Sequence, residues 1–177
     1  AKVLAIDFDL RHALLSDFAK HTDVGITSYL SNITDNIDEC IQHDAVGRGL
    51  DILPIGIIPP NPSELLLSDK MKPMFDKLRE EYDYIILDCP PIGIVADASI
   101  IKDCADVTLF IVRVGVMDRR ILKDVGELYE NKVYKHMALI LNGAPYISGR
   151  YGNYRYGYGY GKGNGYGYYN TNATNTI

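Results

Sequence analysis

The chain has 177 residues, 47% of them hydrophobic and 23% charged, with a formal net charge of −5, which suits about one domain able to bury its own core without disulfides or a structural metal. No apolar run approaches the roughly twenty residues of a membrane span, no signal peptide is visible, and Cys40, Cys89 and Cys104, without CxxC spacing, read as unpaired thiols. All 23 acids lie at or before Glu130 against 13 Lys and Arg there, a balance of −10, whereas five Lys and Arg and no acid follow. A basic end can attract nucleic acid or membrane, but charges this few among tyrosines read as attraction to the chain's own acidic body, with no nucleic-acid partner.

The chain starts at Ala1 and enters an apolar run at once, so it reads as a piece of something longer. Residues 3–6 form the first predicted strand, which leads into Asp7-Phe8-Asp9-Leu10-Arg11. The second strand is predicted over 50–55. Pro54, Pro59, Pro60 and Pro62 then mark an extended connection, with a helical turn expected over 63–67. Met71, Met74, Phe75 and Leu78 repeat at helical spacing, and Pro73 fits the first turn of that helix. The third strand, 84–87, runs into Asp88-Cys89-Pro90-Pro91, and a short helix is expected over 96–104. A fourth strand over 107–112 precedes a helix marked by Ile121, Leu122, Val125, Leu128 and Tyr129. A fifth strand over 138–141 ends in Asn142-Gly143.

The apolar runs are continuous, not alternating, which predicts strands buried on both faces of a parallel sheet. Strand and helix alternate, so the fold class is α/β, a mostly parallel sheet flanked by helices. The ordered domain is placed at 1–147 and a disordered Gly/Tyr-rich tail at 148–177. From Gly149 to Tyr169, sixteen of 21 residues are Gly or Tyr and none is a branched aliphatic, so the segment cannot build a core. Its eight tyrosines (Tyr151, Tyr154, Tyr156, Tyr158, Tyr160, Tyr166, Tyr168 and Tyr169) read as accessible hydroxyls on which something acts.

In open α/β sheets ligands bind at the carboxyl ends of the strands. Three predicted strands end there in Asp7 and Asp9, in Asp88, and in Asn142. A carboxylate after a buried strand, beside another such strand, suits Mg²⁺, a hard cation that prefers oxygen ligands and keeps several waters. An isolated Asp there is ordinarily a turn former or helix cap, but the pair of Asp-bearing strand ends points to the metal. Arg11 either neutralises the aspartates or contacts phosphate, and Asn142 is a turn residue or a base contact. His12, His21, His43 and His136 read as surface or packing residues without partners.

At these residues the chain resembles a known family. The strand bearing Asp7, Asp9 and Arg11 resembles the Walker A′ motif of the bacterial protein-tyrosine kinases, or BY-kinases. Ile85-Ile86-Leu87-Asp88-Cys89-Pro90-Pro91 resembles their Walker B motif, and Pro59-Pro60-Asn61-Pro62-Ser63-Glu64-Leu65 a segment between the two. The tyrosine-rich end is the family's hallmark. The resemblance implies a P-loop-NTPase-like fold and phosphorylation of tail tyrosines in trans, with ATP and Mg²⁺, within a ring-like homo-oligomer. It also implies a transmembrane activator or polysaccharide co-polymerase, a tyrosine phosphatase, and action at the cytoplasmic side of the inner membrane on capsular or extracellular polysaccharide. By resemblance Asp7 accepts the phenol proton, Asp9 and Asp88 hold Mg²⁺ or its waters, and Asn142 contacts adenine; the roles of Asp7 and Asp9 are open to exchange. The family's phosphate loop, GxxGxGK[ST], occurs nowhere in the chain, through truncation or loss, so these residues alone are expected to be inactive. The alternatives are a partition-type ATPase and a non-catalytic scaffold domain.

Overall fold

A computed structural model of the protein describes residues 1–10, 13–19, 23–58, 60, 62–91 and 101–144, with the side chains of Pro62 and Ser63 excepted. Arg11, His12, His21, Pro59, Asn61, most of the helix expected over 96–104 and all tail tyrosines lie outside the described residues.

Five strands form where the apolar runs stand: β1 (Val3–Asp7), β2 (Leu50–Leu53), β3 (Tyr84–Asp88), β4 (Thr108–Arg113) and β5 (Met137–Asn142). All named pairs are parallel, in the order β2-β1-β3 in one sheet and β4-β5 in another. The helices are α1 (Ile26–Leu30), α2 (Pro62–Leu66), α3 (Met71–Glu81) and α4 (Ile121–Glu130), and short 3-10 turns cover Ser16–Phe18, Ile37–Cys40 and Lys102–Cys104. The helical turn expected after the prolines is α2. Pro73 sits in the first turn of α3, where its missing N–H breaks no helical bond.

The first core lies against β1. Leu4, Ile6 and Phe8 are fully buried with Leu53 and Ile55, and α3 closes over them with Met74, Phe75 and Leu78. The Phe8 and Phe75 rings stack with centroids 6.0 Å apart. A smaller cluster joins Phe110 and Val112 of β4 to Val125 of α4. Arg79 of α3 ties the region before β4 to the first core, donating to the Cys104 carbonyl at 2.8 Å and to Asp106 at 3.1 Å.

Burial on both faces holds for β1 and β2 and fails for the others. In β3, Ile85 and Leu87 turn toward the core while Tyr84 and Ile86 are exposed; in β4, Phe110 and Val112 are buried while Leu109 and Ile111 are exposed. In β5 Leu139 and Leu141 are exposed too. In β3 and β4 the period-2 side-chain alternation of a strand is therefore written in exposure and not in residue type, because among the described residues nothing covers their second face, and in β5 Ile140 on the other face is exposed as well. The single sheet expected from the sequence is resolved as two, and among the described residues one edge each of β3 and β4 has no strand neighbour.

Candidate functional site

The register of β1 and β3 brings the two acidic strand ends together. Asp7 and Asp88 are register partners, and the Phe8 amide donates to the Asp88 carbonyl at 2.8 Å, carrying the pairing one residue beyond β1. The sequence expectation that Asp7 and Asp88 end adjacent strands is met in this geometry. Strand β1 stops at Asp7 because the next carboxylate contact is local: Asp7 Oδ1 accepts from the Asp9 amide at 3.2 Å, an Asx-type turn.

Asp7 is fully buried. Its Oδ2 accepts from both the amide and the hydroxyl of Ser16, each at 2.8 Å. The same Ser16 hydroxyl accepts from the Ile55 amide at 3.0 Å, just past the end of β2. Burial raises the proton affinity of Asp7 and the Asp88 charge adds to it, while the Ser16 bonds oppose the rise. Asp88 still reaches solvent, yet partial desolvation, and then the charge of Asp9, hold its carboxyl above the ordinary range. Asp9 is half-buried and close enough to Asp88 for their charges to interact. Cys89 lies among these acids, its thiol pushed up to about 12 by burial and then by Asp88, Asp9 and Asp7, so it stays protonated.

Mutual repulsion within an acidic cluster is relieved by a divalent cation, and the donor set is all oxygen, as Mg²⁺ requires. Among the described residues no group of three or more His, Cys, Asp or Glu is set to hold a metal ion. A pair of carboxylates completed by waters is the arrangement these residues could provide. The phosphate side of a nucleotide fits less well, since no glycine-rich loop of backbone amides occurs in the sequence.

Asn142 closes β5 at its carboxyl end, where it is exposed and in register with Arg113 of β4. A shallow apolar groove between α4 and β5 is lined in part by Leu122, Tyr129 and Leu139, and none of the acidic-cluster residues lines it. His43 has a partner after all, a 2.8 Å contact from Nδ1 to Asp51, whereas His136 is exposed. Sequence reasoning does not single out Ser16. Nine residues beyond Asp7 and between Leu15 and Asp17, it carries no motif; only the fold reveals its contact.

Near the same strand ends, the β2 exit is held by a tight crossing. Gly56, at φ +79°, passes so close to Gly25 that an added Cβ would lie 2.7 Å from the Gly25 nitrogen. That approach lets the Thr27 amide and hydroxyl of α1 bond the Ile55 carbonyl at 3.1 and 2.7 Å.

No family model matches the chain, but individual proteins do. The chain is 35% identical over 155 residues to the tyrosine-protein kinase CpsD of Streptococcus agalactiae, an alignment covering 86% of this chain and 67% of that protein. Its structure is similar to the kinase domain of the Escherichia coli tyrosine kinase ETK, with a TM-score of 0.73 and 32% identity over 89% of this chain and 61% of that one. The septum site-determining protein MinD of Pyrococcus horikoshii, solved with Mg-ADP, shares the fold at a TM-score of 0.61 and 22% identity. The chain thus spans about two thirds of the length of the CpsD relatives.

Proposed function

The chain belongs to the bacterial protein-tyrosine kinases of the capsular type, and from that premise we propose that its strand-end carboxylates serve phosphoryl transfer from ATP to tyrosine hydroxyls, those of its own tail among them. One observation carries the reading. Asp7, Asp9 and Asp88 meet at the ends of two paired parallel strands, with Asp7 raised by burial and then by the Asp88 charge, and Asp88 by burial and then by the Asp9 charge.

In such transfers catalysis is mostly positioning and charge stabilisation. Asp9 and Asp88 would hold Mg²⁺ or its waters; when bound, the cation neutralises charge on the phosphates. Asp7 accepts the phenol proton. Desolvation raises its basicity, and Oδ1, which among the described residues accepts from the Asp9 amide at 3.2 Å, has a second lone pair for a further bond. Its complete burial favours a second assignment, in which Asp9 takes the proton and Asp7 organises the turn that presents it. Arg11 balances charge or contacts phosphate, and Asn142 contacts adenine. Tyr151, Tyr154, Tyr156, Tyr158, Tyr160, Tyr166, Tyr168 and Tyr169 are the acceptors, on a glycine-rich lead long enough to reach a neighbouring subunit.

The phosphate cradle belongs, in this reading, to the part of the full-length kinase that matches the remaining third of the CpsD relatives. The same reading includes a ring-like homo-oligomer, a transmembrane activator, an opposing tyrosine phosphatase, and work at the cytoplasmic face of the inner membrane in polysaccharide polymerisation and export. Among the described residues no helix is long and apolar enough to cross a membrane.

The test is phosphotyrosine on the full-length kinase given ATP and Mg²⁺. Asp88→Asn should lower the rate by about 10²–10³-fold, as other losses of transition-state charge stabilisation do. ATP hydrolysis without any phosphotyrosine would instead favour the partition-type reading, and neither activity the scaffold.

A further inference from the structure

We propose that Ser16 is a positioning residue for the strand-end carboxylates, fixing Asp7 and, through Asp7, the Asp9 turn. The inference rests on the phosphoryl-transfer reading of this site and deepens it.

The contacts leave Asp7 little freedom. Its Oδ2 takes two donors from one residue, the Ser16 amide and hydroxyl, both at 2.8 Å. An ionised carboxylate only accepts, so the Ser16 hydroxyl proton must point at Asp7, and its oxygen is left to accept the Ile55 amide at 3.0 Å. Every polar atom of the Ser16 side chain is thereby engaged, and its orientation is set from two strands at once. With Oδ2 held, the carboxylate plane is fixed and Oδ1 faces the Asp9 amide. The order of constraint runs from the β2 exit at Ile55, through Ser16, to Asp7 at the end of β1, and on to Asp9.

A hydroxyl is needed for this, not merely a small side chain. Alanine keeps the backbone donor but removes one of two bonds to Oδ2 and leaves the Ile55 amide without its acceptor. The carboxylate can then rotate about its Cβ–Cγ bond, and displacement of a reacting group by about an ångström can cost roughly a hundredfold in rate. Because Ser16 touches neither strand end that would meet adenine nor any residue assigned to it, the loss should fall on turnover and not on nucleotide binding.

The experiment uses the full-length kinase with Ser16→Ala, Ser16→Thr, Ser16→Val and Asp7→Asn, measuring phosphorylation rates against ATP concentration and a thermal melt of each variant. Ser16→Ala should lower kcat by roughly 10–100-fold with KM for ATP changed less than about twofold. Ser16→Thr should recover most of the loss and its isostere Ser16→Val should not. Where alanine lowers the melt enough to empty the folded state, the Thr–Val pair decides, since the two differ by the hydroxyl alone. Wild-type kcat in Ser16→Ala, or equal rates in Thr and Val, overturns the positioning role. An Asp7→Asn enzyme of full activity refutes the role of Asp7 itself, which separates failure of the site reading from failure of the Ser16 inference.

Discussion

Tyr82 donates a 2.7 Å hydrogen bond to Asp51 Oδ2 in the interior, where both residues are buried. Asp51 lies on β2 opposite Leu4 of β1, and its other oxygen accepts the Asp44 amide at 2.9 Å. His43 completes the set from the solvent side, and the Lys2 ammonium sits 4.3 Å over the Tyr82 ring. Burial alone would raise Asp51, but the bonds from Asp44, His43 and Tyr82 hold its carboxyl below the ordinary value. Burial, then the bond to Asp51, pushes the Tyr82 phenol upward.

This cluster should make stability depend on pH in a definite direction. A carboxylate whose folded value is depressed contributes stability that is present above its unfolded value and lost as pH falls through the folded value. Tyr82→Phe keeps the ring and removes the donor, and should cost about 1–3 kcal/mol at pH 7. Asp51→Asn should also destabilise at pH 7, and its deficit should shrink as the pH drops below the ordinary carboxylate range. Urea unfolding at a series of pH values checks both. A deficit for Asp51→Asn that is the same at pH 3 as at pH 7 would show that the charge contributes nothing.

At the candidate site the sign is reversed. Asp7 and Asp88 are raised by burial first, and then by neighbouring negative charge. Between the unfolded and folded values the native state holds the extra proton, so stability falls as pH rises through that window. Above it the ionised pair is a standing cost. Asp88→Asn should therefore melt at or above the wild-type temperature at pH 7 while losing kinase activity. Asp7→Asn offers a poorer test, because it also disturbs the Ser16 donors. A lower melt for Asp88→Asn at neutral pH would mean the repulsion is already offset by other contacts.

Strand positions and the buried face of α3 are legible in the amino-acid sequence alone. Continuous apolar runs locate all five strands, and Met71, Met74, Phe75 and Leu78 mark the inner face of α3 because period 3.6 is a local signal. Asp7 and Asp88 are identifiable because each follows such a run directly. Exposure is not legible. Leu109 and Ile111 are as apolar as Phe110 and Val112, and what separates them is that among the described residues only one face of β4 is covered. The Ser16–Asp7 and Asp51–Tyr82 bonds are hidden for a different reason: each joins residues outside any shared motif or period, where spacing carries no information.

The 177 residues studied alone should fold without turning over ATP. The sequence has no phosphate loop, while the core around β1 is closed by α3 and α1. Tyr84 and Ile86 on β3 and Leu109 and Ile111 on β4 remain exposed. Unpaired strand edges beside such side chains favour association between chains. The isolated chain should accordingly melt below the full-length kinase and show concentration-dependent self-association. Tail phosphotyrosine appearing on these purified residues with ATP and Mg²⁺ would sink the expectation of inactivity, and a concentration-independent monomer would argue against open edges.

The tail's charge supplies a switch, offered as a hypothesis from the sequence. From Gly149 onward it carries +3, from Arg150, Arg155 and Lys162, against −10 for the residues up to Glu130. Unmodified, it should be drawn to acidic strand ends such as Asp9 and Asp88, bringing a tyrosine into a neighbour's site. Each phosphate adds roughly −1.5 to −2 at neutral pH. Two phosphotyrosines thus cancel or overturn the tail's charge, and further ones make it repel the body. Screening confines the effect to about 8 Å at physiological salt, so it depends on charges close to the site and weakens as salt rises. Phosphorylation should then release the tail and loosen the ring-like oligomer proposed above. Light scattering on the full-length kinase before and after incubation with ATP and Mg²⁺, at low and moderate salt, measures this. Oligomers of equal mass and stability in both forms at both salts would leave the tail as a substrate only.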